Sequence, residues 1–205
     1  MMAPVVRSFG PAAVLIETAD VLALQAALGV PSAGITDIVP AAETVLVCFD
    51  PSSIAPSAVR AWIDRALTHA ADVDDADAGL LIEIDVRYDG PDLSAAADAA
   101  AVSVATLIDD HQRARWRVAF TGFAPGFGYL VAEDWPHRVP RLAAPRTRVP
   151  AGSVALADGF SGVYPRATPG GWQLIGTTDV VLFDPERTPP ALLSPGARVR
   201  FRDVS

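Results

Sequence analysis

The sequence predicts an α+β protein in two units: a small N-terminal ββαββα sandwich over residues 1–75 and a closed β-barrel over residues 80–205. Three observations carry this reading. Two helical stretches, each following a pair of strand-like runs, fill the first 69 residues. A run of aspartates and alanines, Thr68 to Gly79, separates them from the rest. Beyond residue 113 short apolar runs recur between Pro and Gly turn signals, the pattern of a closed all-β domain.

Taken in order, residues 3–8 and 12–17 read as a strand pair around Gly10-Pro11. A helix follows over 20–28, with Leu24 and Leu28 one turn apart and Gly29 as its stop. Residues 34–39 and 44–49 form a second pair across Pro40-Ala41, and a second helix spans 56–69. Its apolar residues Val59, Trp62, Ile63, Ala66 and Leu67 fall at i, i+3, i+4, i+7 and i+8. Each helix must bury its stripe, so both are expected on one face of a small sheet. Thr68 to Gly79 holds Asp72, Asp74, Asp75 and Asp77 and is too polar to pack, so it reads as a linker. An acidic metal loop is the alternative, but the Gly and terminal Glu of a calcium loop are missing.

Residues 80–88 alternate, with Ile82, Ile84, Val86 and Tyr88 on one face and Glu83, Asp85 and Arg87 on the other. Two short helices follow, over 91–101 and 103–112, the second with Ser103 as N-cap. Arg113 to Phe120 returns to alternation, with Trp116, Val118 and Phe120 facing one way. Short strands are expected at 153–157, 172–176, 179–183 and 197–202.

Composition narrows the chemistry. The chain is 51% hydrophobic and 20% charged, enough to bury a core. Its one Cys, Cys48, lies in the apolar run Val45 to Phe49 and reads as a buried structural thiol. No segment reaches the roughly 20 apolar residues of a membrane span. Met1 to Gly10 lacks a signal-peptide core, so a cytoplasmic protein with no membrane partner is expected. A net charge of -8 argues against nucleic acid as main partner. The charge is uneven: residues 1–110 carry 4 Arg against 17 acids, and residues 111–205 carry 12 Arg against 7 acids. All 16 basic residues are Arg. Without Lys there is no Schiff base, no Walker A loop and no biotin attachment, and any phosphate must be held by Arg or backbone N–H groups.

Three segments stand out as chemistry. Phe120 to Leu130 (FTGFAPGFGYL) combines glycines, which let backbone approach a ligand, with flat aromatic walls; a tight aromatic-filled barrel corner is the plainer reading. Pro145 to Val154 (PRTRVPAGSV) sets Arg146 and Arg148 at i, i+2, on one side of an extended segment, a geometry suited to a carboxylate, a phosphate or an acidic surface; solvated arginines are the alternative. Gly162 to Pro165 (GVYP), followed by Thr168 to Gly176 (TPGGWQLIG), joins a Pro-Gly-Gly turn to Gln173, a donor and acceptor; a hairpin turn with a core Trp is the alternative.

With LFDPER, PGARVRF and the run from Arg87-Tyr88 through Gly90-Pro91-Asp92-Leu93, these segments resemble the B-component family of 5-oxoprolinases, also called the Kip kinase-inhibitor or allophanate hydrolase subunit 1 family. The resemblance is strongest over 80–205. It implies that the C-terminal barrel is cyclophilin-like, of the carboxyltransferase C/D type. It also implies one component of an ATP-dependent 5-oxoprolinase, turning 5-oxoproline into L-glutamate beside a companion C component and an A component. ATP with Mg would serve the complex, and no group would be covalently bound to this chain. A KipI-like inhibitor of a sensor histidine kinase, or an allophanate hydrolase or urea carboxylase component, is the alternative. Prolyl isomerase activity rests on fold analogy only.

Carried over by position, the resemblance implies catalytic roles for His111, Arg146, Arg148, Ser153 and Gln173. It implies small-molecule substrate contacts from Phe123, Pro125, Gly126, Phe127, Tyr164, Gly170, Gly171 and Trp172, and no metal. The arginines would hold phosphate or carboxylate charge, and Thr147, Ser153 or Gln173 would orient the ring amide. His111 also reads as a helix-end histidine beside the carbonyl dipole, and His137 as a solvated loop residue. The chain departs from the family where Gly128 replaces a proline, Val131-Ala132 replace two glycines, and Phe160-Ser161 replace a Gln-Thr pair.

Overall fold

The computed structural model describes residues 3–69 and 80–205, and the chain divides into two compact units, Met1–Ala78 and Gly79–Ser205. From residue 70 onward, the Asp-rich stretch read as a linker lies outside the described residues.

The first unit runs β1 (Val5–Ser8), β2 (Ala13–Glu17), α1 (Val21–Leu28), β3 (Ile35–Pro40), β4 (Thr44–Phe49) and α2 (Pro56–His69). Its strands pair antiparallel in the order β1-β2-β4-β3. Alternation decides which side is dry: Val14 stands opposite Val47 and Ile16 opposite Val45. With Phe49 these side chains make the floor under Leu24 and Leu28 of α1 and Val59, Ile63 and Ala66 of α2. Asp20 caps α1 by accepting the Ala23 N–H at 2.8 Å. The same alternation corrects the reading of Cys48. Val47 and Phe49 take the inward positions, so Cys48 points to the other face and is half-buried.

The second unit runs β5 (Leu81–Val86), α3 (Leu93–Ala99), α4 (Val104–Arg113), β6 (Trp116–Thr121), β7 (Gly128–Val131), β8 (Arg146–Val149), β9 (Ser153–Ala157), β10 (Phe160–Val163), β11 (Thr168–Gly170), β12 (Gln173–Thr177) and β13 (Arg198–Asp203). Seven of these strands form one sheet in the order β12-β9-β10-β7-β6-β13-β5, while β8 and β11 make a separate ribbon. The ends of the sheet meet. Arg87 and Thr177 exchange both backbone hydrogen bonds, at 2.9 and 2.8 Å, and the Asp92 N–H donates to the Leu174 carbonyl at 3.0 Å. The sheet is therefore a nearly closed barrel, and closure relieves two strand edges of their unpaired groups. It also needs glycine at the seam. A Cβ on Gly90 would fall on the Leu174–Gly176 backbone, and one on Gly176 on the Arg87 carbonyl.

The barrel interior takes the alternating residues expected of 80–88: Ile82, Ile84, Val86 and Tyr88 are buried. They join Val118, Leu130, Val154, Leu156, Ile175 and Phe201 in one cluster. Ser103 caps α4 on the Thr106 N–H at 3.0 Å. Two corrections apply. The run 179–183 is not a strand; its one bridge, Phe183 to Ala191, lies in a segment where Pro185, Pro189 and Pro190 remove the donors a ladder needs. Conversely β7, β8, β10 and β11, of three or four residues each, are too short to show a period in the sequence.

Candidate functional site

Strand alternation gives the barrel a second, outer apolar face. Val154, Leu156 and Ile175 point into the interior cluster, so Ala155, Ala157 and Leu174 face out. Onto that face pack Phe127, Tyr164 and Trp172. Phe127 is the hub. Its ring lies 5.0–5.5 Å from those of Tyr129, Phe123, Trp172 and Tyr164, at interplanar angles of 68–84°. Such edge-to-face pairs each add about 0.5–1.5 kcal/mol beyond area burial. Phe120 stacks on Tyr129 at 4.3 Å, and Phe160 closes on both. Phe160, one of the departures from the family pattern, thus extends the aromatic sheet face.

The loop after β6 carries Phe123 at its tip. It turns tightly through the Phe127 N–H to Ala124 carbonyl bond, 3.0 Å, and the Gly122 N–H to Phe127 carbonyl bond, 3.2 Å. Phe123 sits in the left-handed region at φ 65 and remains 57% exposed. Its ring meets those of Phe127 and Tyr164 edge to face, at 5.3 and 6.0 Å, and leaves the rest of its surface outward. It borders an open depression of ≈ 510 Å³ that also takes in Pro125, Gly126, Leu193 and Pro195.

The β8–β11 ribbon brings the arginines. Arg146 pairs in register with Gly170, and the Leu142 N–H donates to the Gly171 carbonyl at 2.8 Å. Gly170 is required here, because a Cβ would fall on the Tyr164 hydroxyl. Arg146 Nη2 donates to Asp92 Oδ1 at 2.6 Å, while Asp92 Oδ2 accepts the Leu174 N–H at 2.7 Å. Asp92 holds the N-cap position of α3 yet makes no capping bond, since both its oxygens are committed to this contact. Arg146 Nη1 is buried without a partner among the described residues. Arg148 is exposed. Burial pushes the Tyr164 phenol above its ordinary range, opposed by the Trp172 N–H and the Arg141 and Arg146 charges.

The remaining candidates lie elsewhere. His111 is fully buried on the interior side, stacked on Phe201 at 4.3 Å. Its Nδ1 bonds the Tyr88 hydroxyl and its Nε2 the Ser161 hydroxyl, both at 2.8 Å. Burial lowers its pKa to about 3, so it is a neutral ring that donates to one hydroxyl and accepts from the other. Gln173 stands opposite Leu156 and therefore faces inward, with its Nε2 on the Pro140 carbonyl at 3.2 Å. Ser153 is buried at the start of β9, where its carbonyl accepts the Tyr164 N–H at 2.9 Å. His137 corrects its reading as a solvated loop residue: it is buried, bonded to Asp110 at 2.7 Å and packed on Trp135.

The structure thus gathers Phe123, Phe127, Arg146, Tyr164, Gly170 and Trp172 on one face, with Pro125, Gly126 and Gly171 at its border. It leaves His111 and Gln173 inside. Sequence reading missed Asp92, Tyr129 and Arg141. The one available signal, an Asp ahead of a helix, points to capping. Of this cluster Phe123 alone is exposed; Phe127, Tyr164 and Trp172 are buried beneath it, Arg146 Nη1 is a buried donor, and among the described residues the cluster holds no free carboxylate or imidazole. No group of three His, Cys, Asp or Glu among the described residues could hold a metal ion, and no helix among them is long and apolar enough to cross a membrane.

Residues 4–193 match the carboxyltransferase domain, subdomain C and D. The chain is 49% identical over 123 residues to the 5-oxoprolinase B component of Escherichia coli O157:H7, covering 58% of this chain and 56% of that protein. It is 44% identical over 128 residues to the 5-oxoprolinase B component of Bacillus subtilis (strain 168), covering 61% of this chain and 53% of that protein. The matches span about half the length of these curated relatives. Among solved structures, TTHA0988 superposes with a TM-score of 0.74 at 36% identity, over 95% of this chain and 40% of that one. The Kluyveromyces lactis urea carboxylase shares the fold, with a TM-score of 0.74 at 18% identity over 98% of this chain and 22% of that one.

Proposed function

Because this chain belongs to the carboxyltransferase-domain family, subdomain C and D, with relatives named as the B component of 5-oxoprolinase, we propose that it is the B component of an ATP-dependent 5-oxoprolinase. In this reading it acts with a companion C component and an A component to open the lactam of 5-oxoproline to L-glutamate. The observation that supports it is an exposed aromatic, Phe123, at the border of an open depression that has no carboxylate or imidazole in its lining. Asp92 is engaged by Arg146 and His111 is sealed in the barrel, so neither serves as a free base. Phe127 and Tyr164, themselves buried, hold the exposed Phe123 by edge contacts at the border of the open depression, where a small ring would sit. The reacting groups then come from a partner, which the exposed Phe123 faces at the rim.

The Arg146 charge is already balanced by Asp92 at 2.6 Å, so this arginine is not free to hold a phosphate. ATP and its magnesium are assigned to other parts of the complex, and no step is derived through them.

Reconstitution with the A and C components of the same genome tests this. Glutamate and ADP are expected from the full mixture, with none from this chain alone and none when it is omitted. Turnover undiminished by its omission overturns the reading, as does inhibition of a sensor histidine kinase by a chain that leaves 5-oxoproline turnover unaffected.

A further inference from the structure

We infer that the β8–β11 ribbon is a docking surface for an acidic, extended segment of a partner protein, gripped by Arg141, Arg148 and Arg166. Between residues 138 and 178 the chain carries five arginines and one acid, Asp158. Two of the five are neutralised: Arg138 pairs with Asp158 at 3.0 Å and Arg146 with Asp92 at 2.6 Å. Arg141, Arg148 and Arg166 are exposed and have no acidic partner among the described residues.

The contrast with the rest of the unit gives this meaning. Arg87, Arg113, Arg115, Arg200 and Arg202 all pair with acids. Acids outnumber arginines 24 to 16 over the chain, yet among the described residues none pairs with these three. They also lie in or flank the two strands of one ribbon. Arg148 lies in β8, Arg141 precedes the Leu142 N–H that anchors on Gly171, and Arg166 lies two residues before Thr168, the partner of Val149.

Their position bears on the ligand. The depression beside Phe123 is lined by none of the three, so none of them meets a small anion seated there. A nucleic acid would carry its charge far beyond the ribbon, against a protein of net charge -8. A short acidic peptide segment places its charges within a Debye length, about 8–10 Å, of the ribbon and is screened from the acidic remainder. Guanidinium forks then take its carboxylates two oxygens at a time. The inference rests on the reading that this chain works with a partner protein, and not on which reaction the complex performs.

The test uses the whole chain and a fluorescein-labelled peptide of alternating Glu and Ser, followed by anisotropy. Binding that weakens with salt is expected. The combined variant Arg141→Gln, Arg148→Gln, Arg166→Gln is expected to lose roughly tenfold or more in affinity while its thermal melt stays unchanged. Lysine at the same three positions is expected to restore part of the loss. The combined variant Arg113→Gln, Arg115→Gln, Arg138→Gln makes the same change in net charge and is expected to bind as wild type. No binding by wild type overturns the inference. So does an equal loss in both Gln variants, or displacement of the peptide by tripolyphosphate or a single-stranded oligonucleotide at matched charge. These outcomes leave reconstituted 5-oxoproline turnover to be judged separately.

Discussion

Asp92 holds Arg146 on one carboxylate oxygen and the Leu174 amide on the other, at 2.6 and 2.7 Å, and so ties the start of α3 to both the barrel seam and the ribbon. The Asp92 side chain is 11% exposed and that of Arg146 29%. Removing one partner strands a largely buried charge, which costs about 3–5 kcal/mol. Asp92→Asn is therefore expected to lower urea-unfolding stability by about 3 kcal/mol, and Arg146→Met by a similar amount. The double variant should lose less than the sum, with a coupling of about 1–3 kcal/mol. Strict additivity would show that the two groups do not interact in solution.

His111 makes stability depend on pH. Its folded pKa is near 3 through burial, while the unfolded ring keeps the ordinary value of 6.5. Below pH 6.5 the unfolded chain therefore binds a proton that the folded chain refuses. This contribution is complete above pH 6.5 and is lost as pH falls toward 3, by about 1.4 kcal/mol per pH unit. His111→Phe is expected to reduce the slope between pH 6 and 4 by that amount. It should also destabilise the protein at pH 7, by about 1–3 kcal/mol for each stranded hydroxyl of Tyr88 and Ser161. Urea titrations of both proteins across that pH range give the comparison; parallel pH dependences would exclude His111 as the titrating group.

The seam predicts a sharp difference between glycines. Gly176→Ala drives a methyl into the Arg87 carbonyl, a backbone atom that cannot move without opening the barrel. A loss of about 3 kcal/mol or failure to fold is expected. Gly159→Ala meets nothing nearer than the Arg138 guanidinium at 3.6 Å and should change stability by less than about 0.5 kcal/mol. Thermal melts of the two variants decide it.

Each unit has its own core. The interior and outer clusters of the barrel draw only on residues from Ile82 onward, and the helix-covered cluster only on residues up to Leu67. Residues 80–205 expressed alone are expected to unfold in one cooperative transition, and limited proteolysis of the whole chain to cut first between residues 70 and 79. First cuts inside 120–176 would argue against two independent units.

The sequence by itself determined the parts whose evidence is local. Val59, Ile63 and Ala66 repeat at helical spacing, and Ile82, Ile84 and Val86 at strand spacing, because a period records which side of an element is dry. That was enough for the ββαββα unit, for β5, and for the helix starting after Ser103. It also showed Arg146 and Phe127 as candidates, because glycines, prolines and aromatics crowd around them. Tertiary structure alone decided which candidates meet. Asp92 and Arg146 lie 54 residues apart, and His111 and Ser161 lie 50 apart. No local period reports a partner at that distance. The choice of face for Gln173 followed from its register with Leu156, and barrel closure followed from Arg87 meeting Thr177. A one-residue shift in either register would have exchanged inside for outside. The dry side of a strand is written in its own residues, but the neighbour across a closed sheet is set by how all the strands pack together.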